Sequence, residues 1–195
     1  MSERKRTKTQ RAILHAAKVL YEKQGVGNAP FDDIAELAGV CRTTVFNHFA
    51  DAGELQQALA VAEIGELAAF GEQSGLKGLP LIQELLFKLI DDTANYPHVM
   101  SRLTNATILG GESGRIGDIE RLFARQYEIE FGAFPADAVI SAERLAQMTI
   151  GLYYGQVNHL LAFGMPFDSA KMRRDMNAML DYLLRGVRAG NDFTR

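Results

Sequence analysis

The chain has 195 residues, 47% of them hydrophobic, with a single cysteine and a formal net charge of −3. That is apolar material for one large domain or two small ones, too little cysteine for an internal disulfide framework, and too small a charge to name a partner. The charge is uneven, however: residues 1–11 carry Arg4, Lys5, Arg6, Lys8 and Arg11 against Glu3 alone, the footprint of a local contact with a polyanion.

In chain order, Thr7 to Lys23 sets Ile13, Ala16, Ala17, Leu20 and Tyr21 at the spacing of one helix face. Thr7 and Gln10 are spaced as its capping box, and Gly25 and Gly27 stop it. A second helix starts near Pro30, with Asp32 and Asp33 favouring its dipole. Ile34, Ala35, Leu37 and Ala38 are expected to face inward, and Gly39 to end it. A third, short helix follows in "GVCRTTVFNHF", residues 39–49, and a fourth from about Ala52 to Gln73. "SGLKGLP", Ser74 to Pro80, breaks the chain and is a candidate domain boundary. Further helices are expected at about Leu81–Asn95, His98–Leu109, Arg115–Phe131, Ala138–Phe163 and Ser169–Arg188. Pro97, "GGESG", Pro135 and "GMP" separate them. No run of alternating β-branched residues argues for a sheet, so the expected class is all-α.

Residues 147–167 contain no Asp, Glu, Lys or Arg. Length alone raises a membrane span. Gln147, Thr149, Gln156, Asn158 and His159 make the segment too polar for lipid, so it is expected between protein surfaces, with no membrane partner. The single cysteine and the charged first residues lead us to expect a cytoplasmic protein.

Residues 31–49 have the order helix, glycine turn, helix. In a helix-turn-helix the second helix enters the DNA major groove and its front side chains touch base edges. Its exposed face must be short-chained, rich in donors and free of acids. Cys41, Arg42, Thr43, Thr44, Asn47 and His48 fit. Arg pairs bidentately with guanine, and Thr methyls meet thymine methyls.

The stretch "FDDIAELAGVCRTTVFNHFADAGEL" resembles the signature of the TetR family of transcriptional regulators. The matching core is Ile34, Ala35, Ala38, Gly39, Val40, Thr44, Val45, Phe46, His48, Phe49 and Leu55, and "QRAILHAAKVLYEKQG" is similar to that family's first helix. The likeness spans roughly residues 8–60. It implies a homodimer that binds operator DNA, usually as a repressor, and releases it when a small molecule enters the C-terminal domain. It implies an N-terminal three-helix DNA-binding domain, residues 1–52, and a helical ligand-binding and dimerisation domain, residues 53–195, linked by the helix at about 52–73. Cys41, Arg42 and Thr43 stand at base-reading positions, and Thr44, Phe46 and His48 at phosphate-contacting ones. The family usually has Tyr at Phe46, Lys at Ala52, and a capping Thr or Ser at Pro30. Two lost phosphate contacts weaken binding and flatten its salt dependence. Arg4, Lys5, Arg6 and Lys8 are expected to compensate along phosphates or in the minor groove.

The resemblance also implies dimerisation through the last two helices. Met172, Met176, Met179, Leu180, Leu183 and Leu184 form an apolar stripe, and Gly151 and Gly155 permit close helix approach. The ligand cavity is expected among the middle helices. Its candidate walls are Phe70, Phe87, Met100, Leu103 and Thr107, together with Phe123, Tyr127, Met148, Tyr153 and Gln156. Aromatic and Met walls with few polar groups suit a mostly apolar effector. His159 is expected to be a satisfied buried histidine.

Catalysis finds no support in the sequence. No histidine has Glu three residues before it, no His-Glu-x-x-His occurs, and Asp91 and Asp92 do not share a helix face. "GVGNAP" follows a helix and lacks the third glycine of a dinucleotide site. No metal or cofactor is expected. The first rival reading is a redox-responsive regulator using Cys41, which stands near a helix start beside Arg42, and the second, with less behind it, is a helical-bundle enzyme.

Overall fold

The computed structural model describes the backbone of residues 3–109, 116–134 and 140–192, and side chains within 7–103, 117–134 and 140–187. Among these residues nine α-helices form and no strand, which is the all-α class expected. The helices are α1 (Glu3–Gln24), α2 (Phe31–Ala38), α3 (Arg42–His48), α4 (Ala52–Ser74), α5 (Gly78–Asn95), α6 (Pro97–Leu109), α7 (Ile116–Phe131), α8 (Ala142–Ala162) and α9 (Ser169–Asp192).

Helix α1 begins four residues before Thr7, so Thr7 lies inside it and caps nothing at its start. Glu3, Arg4, Lys5 and Arg6 are compatible with a helix interior, which lets the basic run extend the helix rather than precede it. Helix α9 likewise runs on to Asp192. Helix α8 starts at Ala142, where the Ser141 side chain accepts from the Arg144 amide. The expected starts at Arg115 and Ala138, and Pro135, lie outside the described residues.

Buried apolar side chains gather in two clusters. One joins Ile13, Ala17 and Tyr21 of α1 to Ile34 of α2, Val45 of α3 and Leu55 and Leu59 of α4. The other joins Leu67 of α4 to α5, α7, α8 and α9 through residues such as Leu85, Phe123, Ile150 and Met176. Helix α4 therefore serves both. Its first half belongs to the first cluster and its second half to the other, where Gly71 lets Leu81 and Leu85 of α5 approach closely. Helix α6 also crosses the division, because Val99, Met100 and Leu103 pack in the first cluster. The Glu22 carboxylate of α1 accepts from the His98 and Val99 amides at 3.2 and 3.0 Å. Backbone donors at a helix start need such partners.

Two inward expectations fail. Leu37 is 52% exposed. Helix α2 is only 8 residues long, so it buries a narrow stripe, led by Ile34 and Ala35. His159 is exposed and lies against Phe163, with ring centroids 4.7 Å apart. It lies near the C-terminal end of α8 and faces outward.

Candidate nucleic-acid interface and effector cavity

Helix α2 ends where Gly39 takes φ +67°. A side chain there would meet no neighbour, but the left-handed backbone itself favours glycine. The Gly39 and Val40 amides donate back to Glu36 and Ala35 at 3.1 and 3.0 Å. This closes the helix and turns the chain. Helix α3 then starts after Cys41, and Val45 and Phe49, both buried, pin it onto the first core. The opposite face is left to solvent. Cys41, Arg42, Thr43, Phe46 and Asn47 are exposed, while Thr44 and His48 are half-buried.

The seven proposed contacts on or beside α3 thus share one short helix and its cap. Lys8 is exposed on α1. The side chains of Arg4, Lys5 and Arg6 lie outside the described residues. Their backbone is helical, so an extended arm is replaced by the first turn of α1.

The surface is not free of acids. Asp32 of α2 reaches Arg42, with Oδ2 2.7 Å from Nη1. At the start of α4, the Asp51 side chain accepts from the Glu54 amide at 2.9 Å, and Glu54 accepts from the Ala50 amide at 2.6 Å. The amino end of α4 is therefore already capped by carboxylates. These two acids put negative charge beside Ala52, where the family usually has lysine.

Cys41 is exposed, and its Sγ lies 3.0 Å from Thr44 Oγ1. The Thr44 side chain holds the thiol pKa below its ordinary value.

The second site is a small, partly open cleft between α4, α5, α6, α7 and α8, with about 50 Å³ of free space. Of the ten expected wall residues, Met100, Leu103 and Tyr153 line it. Its other walls include Ala60, Ile64, Leu67, Leu89, Ile119 and Tyr154. Phe123 and Tyr127 are instead fully buried in the second core. Tyr127 hydrogen-bonds Thr149 Oγ1 at 2.5 Å, and burial pushes its phenol up to about 12. Phe70 packs at the edge of the same core, and Phe87 lies under the Arg173 guanidinium, 4.7 Å from its ring centroid. Gln156 donates to the Met172 carbonyl at 3.2 Å, tying α8 to α9. Met148 is 40% exposed on the outer face of α8. Thr107 lies outside the described side chains. Aromatic and Met side chains look alike in sequence whether they fill a core or line a cavity, so residue type could not separate these.

The polar groups of the cleft are what the sequence reading missed. Glu63 and Asp92 line it beside Tyr153 and Tyr154. Glu63 is paired with Lys18 of α1 at 2.7 Å, both side chains largely buried, and the Lys18 ammonium lies 4.7 Å from the Tyr96 ring centroid. Burial pushes the Glu63 carboxyl above its ordinary range, against the pull of Lys18. Asp92 pairs with Lys88 at 2.5 Å. Glu63 lies on the same helix as Leu59 and Leu67, one in each core, which was the available signal.

Two helices joined by a glycine turn, with the second presenting a polar face, define a helix-turn-helix DNA-binding protein. Residues 13–59 match the family model described as bacterial regulatory proteins, tetR family. The chain is 28% identical over 190 residues to the HTH-type transcriptional regulator AcrR of Shigella flexneri, covering 88% of this chain and 87% of that one. Over 51 residues it is 45% identical to the HTH-type transcriptional regulator TtgR of Pseudomonas putida, covering 26% of this chain and 24% of that one. A transcriptional regulator from Aquifex aeolicus has the same fold, with a TM-score of 0.65 at 19% identity over 90% of this chain and 99% of that one. So does Thermus thermophilus FadR, a TetR-family repressor solved with lauroyl-CoA, at a TM-score of 0.57 and 19% identity over 88% and 92%. Residues 13–59 thus carry the helix-turn-helix segment described by the tetR family model, and the fold of the whole chain is that of the TetR-family structures it is similar to.

Proposed function

We propose that this regulator is a homodimeric repressor, released from its operator when a small, mostly apolar molecule enters the cleft. Residues 1–52 serve as the DNA-binding domain and 53–195 as the effector and dimerisation domain, with α4 as the link. The observation that carries this reading is the Lys18–Glu63 pair. It joins the first DNA-binding helix to a wall of the cleft at 2.7 Å. A molecule that displaces Glu63 or Ile64 acts on α4, and through Lys18 on α1. Helix α6 adds a second link, since Met100 and Leu103 line the cleft while Glu22 of α1 caps its start.

The outer faces of α8 and α9 support dimerisation. Met148, Gly151, Leu152, Met179, Tyr182 and Leu183 form one shallow apolar surface. Tyr182 is 75% exposed, and added side chains at Gly151 and Gly155 would meet nothing among the described residues. Two such helices from each subunit make a four-helix bundle. The expected compartment is the cytoplasm, where the exposed Cys41 stays reduced.

Native mass spectrometry of the intact dimer from its host tests the cleft. An apolar adduct is expected in the wild type and absent from Ile64→Trp, which fills the space. A mobility shift on the selected operator should then show release by the recovered compound from wild type only. Equal release from Ile64→Trp would place the effector elsewhere. A redox-responsive variant of the reading rests on the Cys41–Thr44 contact. It requires oxidant to release DNA from wild type and not from Cys41→Ser, and an equal response in both ends it.

A further inference from the structure

Asp32 poses a problem for a DNA-binding surface. It stands in the first turn of α2, exposed, close to where phosphates must approach. A negative charge there opposes binding. Its carboxylate is engaged, however: Oδ2 accepts from Arg42 Nη1 at 2.7 Å. The Arg42 guanidinium also lies over the Phe46 ring, 5.3 Å from its centroid. Phe46 in turn meets Phe31, with centroids 4.9 Å apart and planes tilted by 53°. Phe31 and Asp32 are neighbours at the start of α2. Helix α2 thus supplies a charged stop for Arg42 and, through Phe31, a support for the Phe46 ring of α3 that backs the same guanidinium.

The two partners are 60% and 59% exposed, so the pair adds little stability. What it supplies is direction. A free arginine has several rotatable bonds to fix on binding, and fixing them beforehand lowers the entropy lost at the base edge. Only Nη1 is occupied by Asp32. The Nε and Nη2 groups form the other edge of the planar fork and donate to no protein group among the described residues. That edge carries the two parallel donors that match guanine O6 and N7.

We propose that Asp32 is a positioning residue for base recognition: with the Phe31–Phe46 rings behind it, it aims the Nε–Nη2 edge of Arg42, so that the operator's guanine preference depends on an acid that touches no base. This rests on the DNA-binding reading above. It also gives Phe46 a role where the family usually has Tyr. The ring backs the guanidinium, and the absent hydroxyl is not needed for that.

The test selects bound sites from a random-sequence duplex library with the full chain, then measures affinities on the wild-type site and its single-base variants. Wild type is expected to prefer one guanine per half-site, and Arg42→Ala to lose that preference. Asp32→Asn should lower discrimination at that base pair by about tenfold and leave the other positions unchanged. In an Arg42→Ala background, Asp32→Asn should change no base preference and raise affinity for all sequences alike, through the lost charge alone. Phe46→Leu should lower the same discrimination, and Phe46→Tyr should keep it. If Asp32→Asn strengthens binding uniformly and leaves guanine discrimination intact, the inference is overturned while the DNA-binding reading stands. If wild type enriches no site at all, both fall.

Discussion

At the level of single residues, the recognition surface works with few cations, and each should be measurable. Arg42→Ala is expected to cost about 1–3 kcal/mol at one base pair and to relax specificity there. Competition titrations against single-base variants check this, and an unchanged ranking of sites contradicts it. Ala52→Lys restores the positive charge that α4 lacks next to its two capping acids. It should tighten binding to all sequences and steepen the salt dependence by about one unit of log–log slope. Deleting residues 1–6, which hold Arg4, Lys5 and Arg6, should weaken operator binding strongly in a mobility shift at fixed salt. Arg42, Thr43 and Asn47 were legible as exposed because acid-free polar residues alternate with Val45 and Phe49 on so short a helix. The carboxylate beside Arg42 was not, because Asp32 is ten residues away and only the turn at Gly39 brings it near.

At the level of helices, the position of each element was legible from its glycine and proline punctuation. Gly25, Gly39 and Gly75 all take positive φ just after a helix. The ends were less legible. Helix α1 starts earlier than Thr7 because basic residues suit a helix as well as a tail. Nor could a linear pattern show that α1, α4 and α6 meet. Lys18 and Glu63 are 45 residues apart and each sits among apolar neighbours. Their pairing sets a stability prediction. Lys18→Met leaves Glu63 buried without its cation, at a cost of about 3 kcal/mol while the carboxylate stays charged. Because the folded Glu63 pKa is already raised by burial, protonation relieves that cost at low pH. The deficit should be small at and below the ordinary carboxylate range and grow only as pH rises above it, through the raised folded pKa of Glu63. Thermal denaturation of the two proteins between pH 4 and 8 reads this directly, and a deficit independent of pH contradicts it.

At the level of the molecule, two cores share α4, and the apolar outer faces of α8 and α9 have no covering element among the described residues. The apolar stripe of α9 divides between these demands. Met172, Met176, Leu180 and Leu184 are buried inside, while Met179 and Leu183 are half-buried at the edge of that core and also line the outer surface. Composition alone gave one stripe and could not divide it, because both sets follow helical spacing. Leu183→Glu should therefore leave the monomer folded and dissociate the proposed dimer, seen as a halved mass in sedimentation equilibrium. A retained dimer would move the interface elsewhere. Dimerisation and groove reading meet in one measurement, the sequence that the full chain enriches from random duplex DNA. A two-fold symmetric site is expected, its half-sites separated as two recognition helices on one face of the duplex require, about 10 base pairs or a multiple of that. Enrichment of an asymmetric single half-site, or of nothing, would contradict a homodimeric helix-turn-helix regulator.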